Sequence, residues 1–424
     1  MVVLCLAGGQ SARFYPCNKI FTRLVDPDRS MIQQTLDRAT SSSFTEQPLC
    51  TNDSFYIITG PSFEHKMREE LHNIPKSNIY IEPARRNTLP AILWALATLR
   101  AKGVDSSSVV SVVTADHVIP DVDEFRRCLR LAQTKASSSS CIVTIGITPS
   151  SKAHEWTSFG TMKTHNSHST TSTGHPLARF EEKPSLERAK EMLEEGGWYW
   201  NSGMFVFAIE TLEMMLQCLQ PPMYQTYTAL VDAHTSGDAS LAADLFASFP
   251  SKIPHPLVSG ILADNSIDYA LMVPLTLGQT LSEGIFGFVV PGTFEWLDIG
   301  SWSALRKVHS TDDSNNIILG DVVFNNCSNC IFVAEQPCSI SVNDVSGLII
   351  VVNSSGELML SPEDIAAEVK TIASKAAVRE EKELVVVENV ENCEFIGDKL
   401  ITAIGIRNIS VKNFNGRITV EQKN

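Results

Sequence analysis

The sequence predicts an α/β protein: residues 1–310 form a doubly wound sheet domain, and residues 311–424 form a β-rich, β-helix-like domain with an internal repeat. Three observations carry this. Over roughly the first 150 residues, apolar runs of strand length alternate with stretches of helical spacing, as in chains whose strands cross over through helices. The first run, Val2-Val3-Leu4-Cys5-Leu6, stops abruptly at Ala7-Gly8-Gly9, a strand feeding a glycine loop. From about Thr311 the texture changes to short valine- and asparagine-rich runs with Gly, Asn and Ser turns.

Each element follows in order. Residues 2–6 have the length and β-branched content of a buried first strand. Residues 30–39 carry Ile32 and Leu36 at helical spacing with Ser30 as N-cap, and 40–53 is a polar surface loop. Strands are expected at 54–60, 78–82, 108–114 and 141–147, and helices at 63–71, 89–102 and 122–135. Pro90 falls in a first helical turn, where proline is tolerated. Farther on, a strand ends at 180–184, 186–196 is a helix and 204–209 a strand. Residues 211–248 are mostly helical, 287–291 is the last strand of the sheet, and 301–309 is a closing helix. The Ser/Thr/His-rich stretch 164–174 reads as an exposed hairpin tip or insertion, with a metal role for His165, His168 and His175 as the alternative.

The tail contains an echo. The run from Val322 to Phe332 resembles the run from Val385 to Phe395, with Asn329-Cys330 matching Asn392-Cys393 at a separation of 63 residues. A helical stretch, 362–377, lies between the copies. Two such β-rich units suggest a short solenoid. Cys327 and Cys330 have metal-ligand spacing, but Val390 stands at the counterpart of Cys327, which makes them structural cysteines.

Length and composition set bounds. The 424 residues suffice for two or three domains with a large core. A net charge of −14 leaves no basic face for a nucleic acid, although a local cation cluster is enough for one nucleotide. The ten cysteines have no framework spacing, and several lie in apolar runs, so they read as reduced thiols of a cytoplasmic protein. No apolar run reaches membrane-spanning length, and 2–6 is too short for a signal peptide.

The chemistry-bearing residues begin in the glycine loop, where Arg13 and Lys19 follow Gly8 and Gly9. Glycines let backbone N–H groups approach an anion, and two cations offset polyphosphate charge; a tight turn with two solvated cations is the alternative. The two commonest nucleotide fingerprints, GxGxxG and GxxxxGK[ST], are absent. Asp116 ends a Val-rich run, and Asp298 sits in Trp296-Leu-Asp-Ile-Gly300. Together the two carboxylates have the chemistry to hold one Mg²⁺ against a triphosphate, while either alone is a cap or turn residue. The loop from Glu82 to Pro90 is rich in hydrogen-bonding groups, and its plain structural reading is an Asn87/Thr88 N-cap with solvated arginines. Glu182 and Lys183 fall at a strand end, and Trp198-Tyr-Trp-Asn201-Ser-Gly203 joins aromatics to an Asn, a composition suited to a sugar or to a core hairpin.

This set resembles a known family. LAGGQSARFYP, EPARRNTLPAI, VTADHVIPD, FEEKP, WNSGMFVF, SIDYALM and WLDIGSW occur in the order and rough spacing of the mannose-1-phosphate guanylyltransferases, within the larger class of sugar-1-phosphate nucleotidyltransferases. The resemblance covers about residues 2–310 and implies a Rossmann-like mixed sheet with a β-helical tail. It implies that Leu6, Ala7, Gly8, Gly9, Glu82, Arg86, Asn87, Thr88 and Ala115 bind GTP, with Arg13 and Lys19 stabilising charge at the α-phosphorus. It further implies that Asp116 and Asp298 hold Mg²⁺, with Asp116 catalytic, and that Gly160, Glu182, Lys183 and Asn201 position mannose 1-phosphate. The chain departs from the family pattern at Ser11, where a third glycine is usual, at Ala12, at Val273, and in a shortened stretch between Pro16 and Lys19.

The implied activity is transfer of GMP from GTP to mannose 1-phosphate, giving GDP-mannose and pyrophosphate. The competing readings are a different sugar or base, and a catalytically weak sugar-nucleotide sensor. The tail is expected to pack against the catalytic domain or, in a homo-oligomer, against a second subunit.

Overall fold

The structure, a computed structural model, describes residues 1–9, 11–165, 174–257, 259–277, 284–363, 365, 369–377, 385–388, 390–414 and 417–423. The strands are β1 (Val2–Leu6), β2 (Phe55–Thr59), β3 (Ile79–Ile81), β4 (Val109–Thr114), β5 (His117–Val118), β6 (Cys141–Ile147), β7 (Gly160–Thr164), β8 (His175–Glu182) and β9 (Trp198–Ala208). They continue with β10 (Lys252–Pro254), β11 (Leu262–Asp264), β12 (Phe286–Gly292), β13 (Leu297–Asp298) and β14 (Ile317–Leu319). The remainder are β15 (Asp321–Asn325), β16 (Ile331–Ala334), β17 (Ser339–Asn343), β18 (Leu348–Val352), β19 (Leu358–Pro362), β20 (Val385–Glu388), β21 (Glu394–Gly397), β22 (Ile401–Ile404), β23 (Ile409–Phe414) and β24 (Arg417–Gln422).

Two compact units emerge. One comprises Met1–Gly8, Thr35–Ala115 and Ile119–Trp296; the other comprises Gly9–Gln34, Asp116–Val118 and Leu297–Asn424. In the first, the described strands form a nine-stranded sheet of order β3-β2-β1-β4-β9-β6-β12-β8-β7. β1 to β4 run parallel, and β9 enters antiparallel between β4 and β6, so the five strands that this sheet draws from the first 150 residues share one direction. Burial explains the sequence texture: all seven residues of β6 are buried, as in a sheet covered on both faces. The helix Thr88–Ala101 is apolar nearly all round because it is sunk among the sheet and later helices, and Leu89, Ile92, Leu96 and Leu99 are fully buried.

Boundaries differ from expectation mainly where aromatics sit. β9 begins at Trp198 rather than near Met204, since Trp198 and Trp200 are buried and Trp200 packs 4.9 Å from Phe159. The closing helix is a short 3-10 turn, Trp302–Lys307. β7 and β8 form the flanks of the expected hairpin; residues 166–173, with His168, lie outside the described residues. Arg126, fully buried, ties the first unit's periphery together. It donates to the carbonyls of Arg38 at 2.8 Å, Asp37 at 3.1 Å, Ser41 at 2.6 Å and Glu46 at 2.5 Å, satisfying acceptors at and beyond the end of the helix Met31–Thr40.

In the second unit, β14-β16-β18-β19-β22-β20 and β15-β17-β24-β23-β21 make two sheets. The internal echo is present in their registers. Val322 pairs with Ile340 as Val385 pairs with Ile401, Ile331 with Ile349 as Glu394 with Ser410, and Ile340 with Ile418 as Ile401 with Leu358. Exchanging β15–β19 for β20–β24, and swapping the sheets, leaves this pairing unchanged. β16 and β18 are buried at every position. One face meets the core between the sheets, and the other meets Phe14, Cys17, Leu24, Ile299, Trp302 and Leu305. That second face supports the segments carrying Arg13, Lys19 and Asp298. The thiols of Cys327, Cys330 and Cys393 donate to strand and loop carbonyls: Cys330 to Val345 at 3.6 Å and Cys393 to Ile406 at 3.7 Å.

Candidate active site

β1 delivers Leu6 and Ala7 into a web of backbone bonds. Ala115 N donates to Leu6 O at 3.2 Å, Ala7 N to Ile58 O at 2.9 Å, and Thr59 Oγ1 to Ala7 O at 2.9 Å. Gly8 leaves room for the Glu82 carboxyl, since a Cβ there would lie 2.8 Å from Glu82 Oε1. Glu82 is buried, and burial pushes its carboxyl up to about 7 against the opposing charge of Arg85. Asn87 adopts φ of 81° and accepts from Thr88 N at 2.8 Å, so it caps the helix Thr88–Ala101. Thr88 Oγ1 accepts from Ile267 N at 3.1 Å, and Arg86 Nη2 donates to Ala247 O at 2.8 Å. Both side chains are engaged with protein backbone.

A second cluster in this unit gathers the residues expected at the sugar. A Cβ on Gly160 would meet Glu182 Oε2 at 2.5 Å and Asn201 Cβ at 3.4 Å, so glycine makes room for the glutamate. Lys183, at φ of 48°, holds its ammonium 3.5 Å from Glu182 Oε1. Burial raises Glu182, with Lys183 opposing. Asp268 also belongs to this cluster: its Oδ1 accepts from Asn201 Nδ2 at 2.9 Å. Burial, and then the facing charge of Glu182, push Asp268 up to about 7. Sequence reasoning missed it, although an acid inside the apolar run Ile267–Val273 was a usable signal.

In the other unit, Ser11 takes the left-handed conformation, φ 48° and ψ 40°, which a glycine adopts freely. Arg13 follows in a 3-10 turn, its Nη1 so near Gly300 that a Cβ there would lie at 3.2 Å. Asn18 caps the next turn, Lys19–Phe21, and Lys19 is buried. Lys19 Nζ donates to Asp116 Oδ2 at 3.0 Å and Asp298 Oδ1 at 2.9 Å. β5 and β13 set this spacing by pairing His117 with Asp298. Burial alone would raise Asp116, but the Lys19 ammonium and His117 hold it below the usual carboxylate range.

The two carboxylates therefore converge on one cation, here the ammonium of Lys19. That donor set fits Mg²⁺ completed by phosphate oxygens, since Mg²⁺ is commonly held by one or two carboxylates plus substrate. No group of three or more His, Cys, Asp or Glu suited to a metal occurs among the described residues. No described helix is long and apolar enough to cross a membrane.

Comparison with known proteins agrees with these motifs. Residues 2–315 match the family model described as nucleotidyl transferase. The mannose-1-phosphate guanylyltransferases of Klebsiella pneumoniae and Escherichia coli are each 30% identical over 374 residues, covering 86% of this chain and 71% of theirs. The alginate biosynthesis protein AlgA of Pseudomonas aeruginosa is 30% identical over 381 residues, covering 88% of this chain and 71% of its own. A solved structure described as mannose-1-phosphate geranyltransferase from Thermus thermophilus shares the fold, with a TM-score of 0.68 at 24% identity over 89% of this chain and 99% of that one. This chain belongs to the nucleotidyl transferase family, in the branch of the mannose-1-phosphate guanylyltransferases.

Proposed function

We propose that this protein transfers GMP from GTP to mannose 1-phosphate, giving GDP-mannose and pyrophosphate. The observation that carries the reading is the Gly160, Glu182 and Asn201 cluster, built in a chain whose relatives are named for this reaction. A sugar phosphate oxygen attacks the α-phosphorus, a new P–O bond forms, and the bond to the β-phosphate oxygen breaks. The nucleophile is already an anion, so catalysis is alignment and charge stabilisation.

Roles follow from chemistry. Leu6, Ala7, Gly8, Gly9 and Ala115 offer the loop to the nucleotide, and Glu82, a buried acceptor, faces its base. Arg86, Asn87 and Thr88 shape the adjoining loop through the contacts described above. Arg13 and Lys19 offset charge on the α-phosphate. Mg²⁺, when bound by Asp116 and Asp298, supplies charge neutralisation of the phosphates. Glu182, Lys183 and Asn201 orient the hexose and its phosphate.

We read residues 1–310 as the catalytic domain and 311–424 as a β-helix-like tail that offers a packing surface, including one for a homo-oligomer. The ten cysteines are thiols rather than disulfides, which supports a reducing, cytoplasmic setting. The test is pyrophosphate release with Mg²⁺, scanning GTP, ATP, UTP and CTP against mannose 1-phosphate and glucose 1-phosphate. Release confined to GTP with mannose 1-phosphate is expected. A different productive pair would replace the substrates, and binding of GDP-mannose without turnover would favour a sensor.

A further inference from the structure

Asp268 carries chemistry that the motif reading leaves unassigned. It opens a π-helical turn, Asp268–Met272, whose Ala270, Leu271 and Met272 are core residues. Such turns recur at functional sites because they re-aim a side chain at the expense of regular hydrogen bonding. The preceding residue is pinned: Ile267 N donates to Thr88 Oγ1 at 3.1 Å.

The contacts of Asp268 fix the neighbouring carboxamide. Asn201 Oδ1 accepts from Thr144 Oγ1 and from Gly203 N, both at 3.1 Å, while Asn201 Nδ2 donates to Asp268 Oδ1 at 2.9 Å. A backbone N–H can be met only by the oxygen, and a carboxylate only by the nitrogen, so the amide has one orientation. That leaves a second Nδ2 hydrogen aimed by the same contacts. Asp268 also interacts with the charge of Glu182, whose Oε2 occupies the space where a Cβ on Gly160 would stand, a point 3.4 Å from Asn201 Cβ. Two carboxyl groups and one oriented amide thus converge in a single cluster.

We propose that Asp268 is a specificity-determining residue for the sugar phosphate: it positions the Asn201 carboxamide and, beside Glu182, supplies the second of two carboxyl groups that accept hydrogen bonds from neighbouring ring hydroxyls of a hexose 1-phosphate. This rests on the reading of the cluster as the sugar end of the reaction. Two acceptors set side by side read the relative orientation of two hydroxyls, which is what separates one hexose epimer from another. A substrate that misplaces one hydroxyl leaves a buried acceptor unpaired, and sites of this kind discriminate more strongly than apolar ones.

The test is steady-state kinetics of the full-length enzyme and Asp268→Asn, with mannose 1-phosphate and glucose 1-phosphate at saturating GTP, and with GTP at saturating sugar phosphate. Asp268→Asn keeps the size of the side chain and removes its charge. The expected result is a rise of about tenfold or more in KM for mannose 1-phosphate, kcat and the KM for GTP within about twofold, and a narrowed ratio of kcat/KM between the two sugars. Thr144→Val, which removes one of the two donors at the other end of the same carboxamide, should move the sugar KM in the same direction and serves if Asp268→Asn does not fold. A purely structural role would lower Tm and kcat for both sugars alike and leave the ratio unchanged; that result overturns the assignment. Wild-type protein that uses neither sugar phosphate overturns the functional reading along with it.

Discussion

Lys19 Nζ lies 2.9 Å from Asp298 Oδ1, joining residues 279 apart in the chain, and the same buried ammonium reaches Asp116 at 3.0 Å. An ammonium between two carboxylates competes with a divalent cation for the same oxygens. Lys19→Met should therefore bind Mn²⁺ about tenfold more tightly in the absence of nucleotide, read from the free-ion signal in electron paramagnetic resonance. Its turnover should fall by a factor on the order of 10² or more. Equal Mn²⁺ affinity in wild type and variant would show that the cation site lies elsewhere.

Glu82 gives a pH signature. Its folded-state pKa of about 7 stands above the usual 4.5, so the folded protein holds a proton that the unfolded chain has released between those values. Stability should fall as pH rises from about 4.5 to about 7 and level off above, by about 3 kcal/mol from this group. Glu82→Gln removes that slope, and urea unfolding at pH 5 and pH 8 measures it. An unchanged slope would place the titration on another group.

Arg126 should prove structural. Arg126→Leu removes the guanidinium from four carbonyl oxygens, of which that of Asp37 keeps the N–H of Ser41, while adding little packing. The expected loss is about 3 kcal/mol in urea unfolding, with kcat per folded molecule preserved. A loss under about 1 kcal/mol would mean that water replaces the guanidinium with little penalty.

Truncation after residue 377 should be costly. It removes β20–β24 and uncovers the edges of β17 and β19, along with core residues that had packed on Ile401, Ile409, Ile418 and Val420. Size-exclusion chromatography of 1–377 should show self-association or loss of soluble protein. Recovery of native elution on adding a 378–424 peptide would confirm the cause. A well-behaved truncated chain would show that these edges are protected in another way.

Much of this was legible in the sequence because local and global signals agreed. β1, β6 and the helix Thr88–Ala101 were readable since their burial on all sides leaves long apolar runs. Glu182, the last residue of β8, and Asn201, inside β9, stood out as polar residues beside glycines and aromatics, and the structure brings both against Gly160. The early start of β9 was hidden by its Asn-Ser-Gly stretch, and its strand conformation is imposed by β6, which pairs with Trp200 and Asn201, and by β7, which pairs with Trp198 to Trp200. Asp268 was hidden for the opposite reason: its segment reads as core, and only the fold brings Glu182 opposite it. The Lys19 bridge could not be read at all, because nothing local joins residue 19 to residues 116 and 298.

The exchange pattern of the C-terminal strands has a consequence for folding. β19 adds to the sheet of β22, and β24 to the sheet of β17, each half completing the other. Neither copy of the repeat therefore closes its own sheet, and the pairing that completes both joins strands far apart in the chain, so the tail orders as one unit rather than as two.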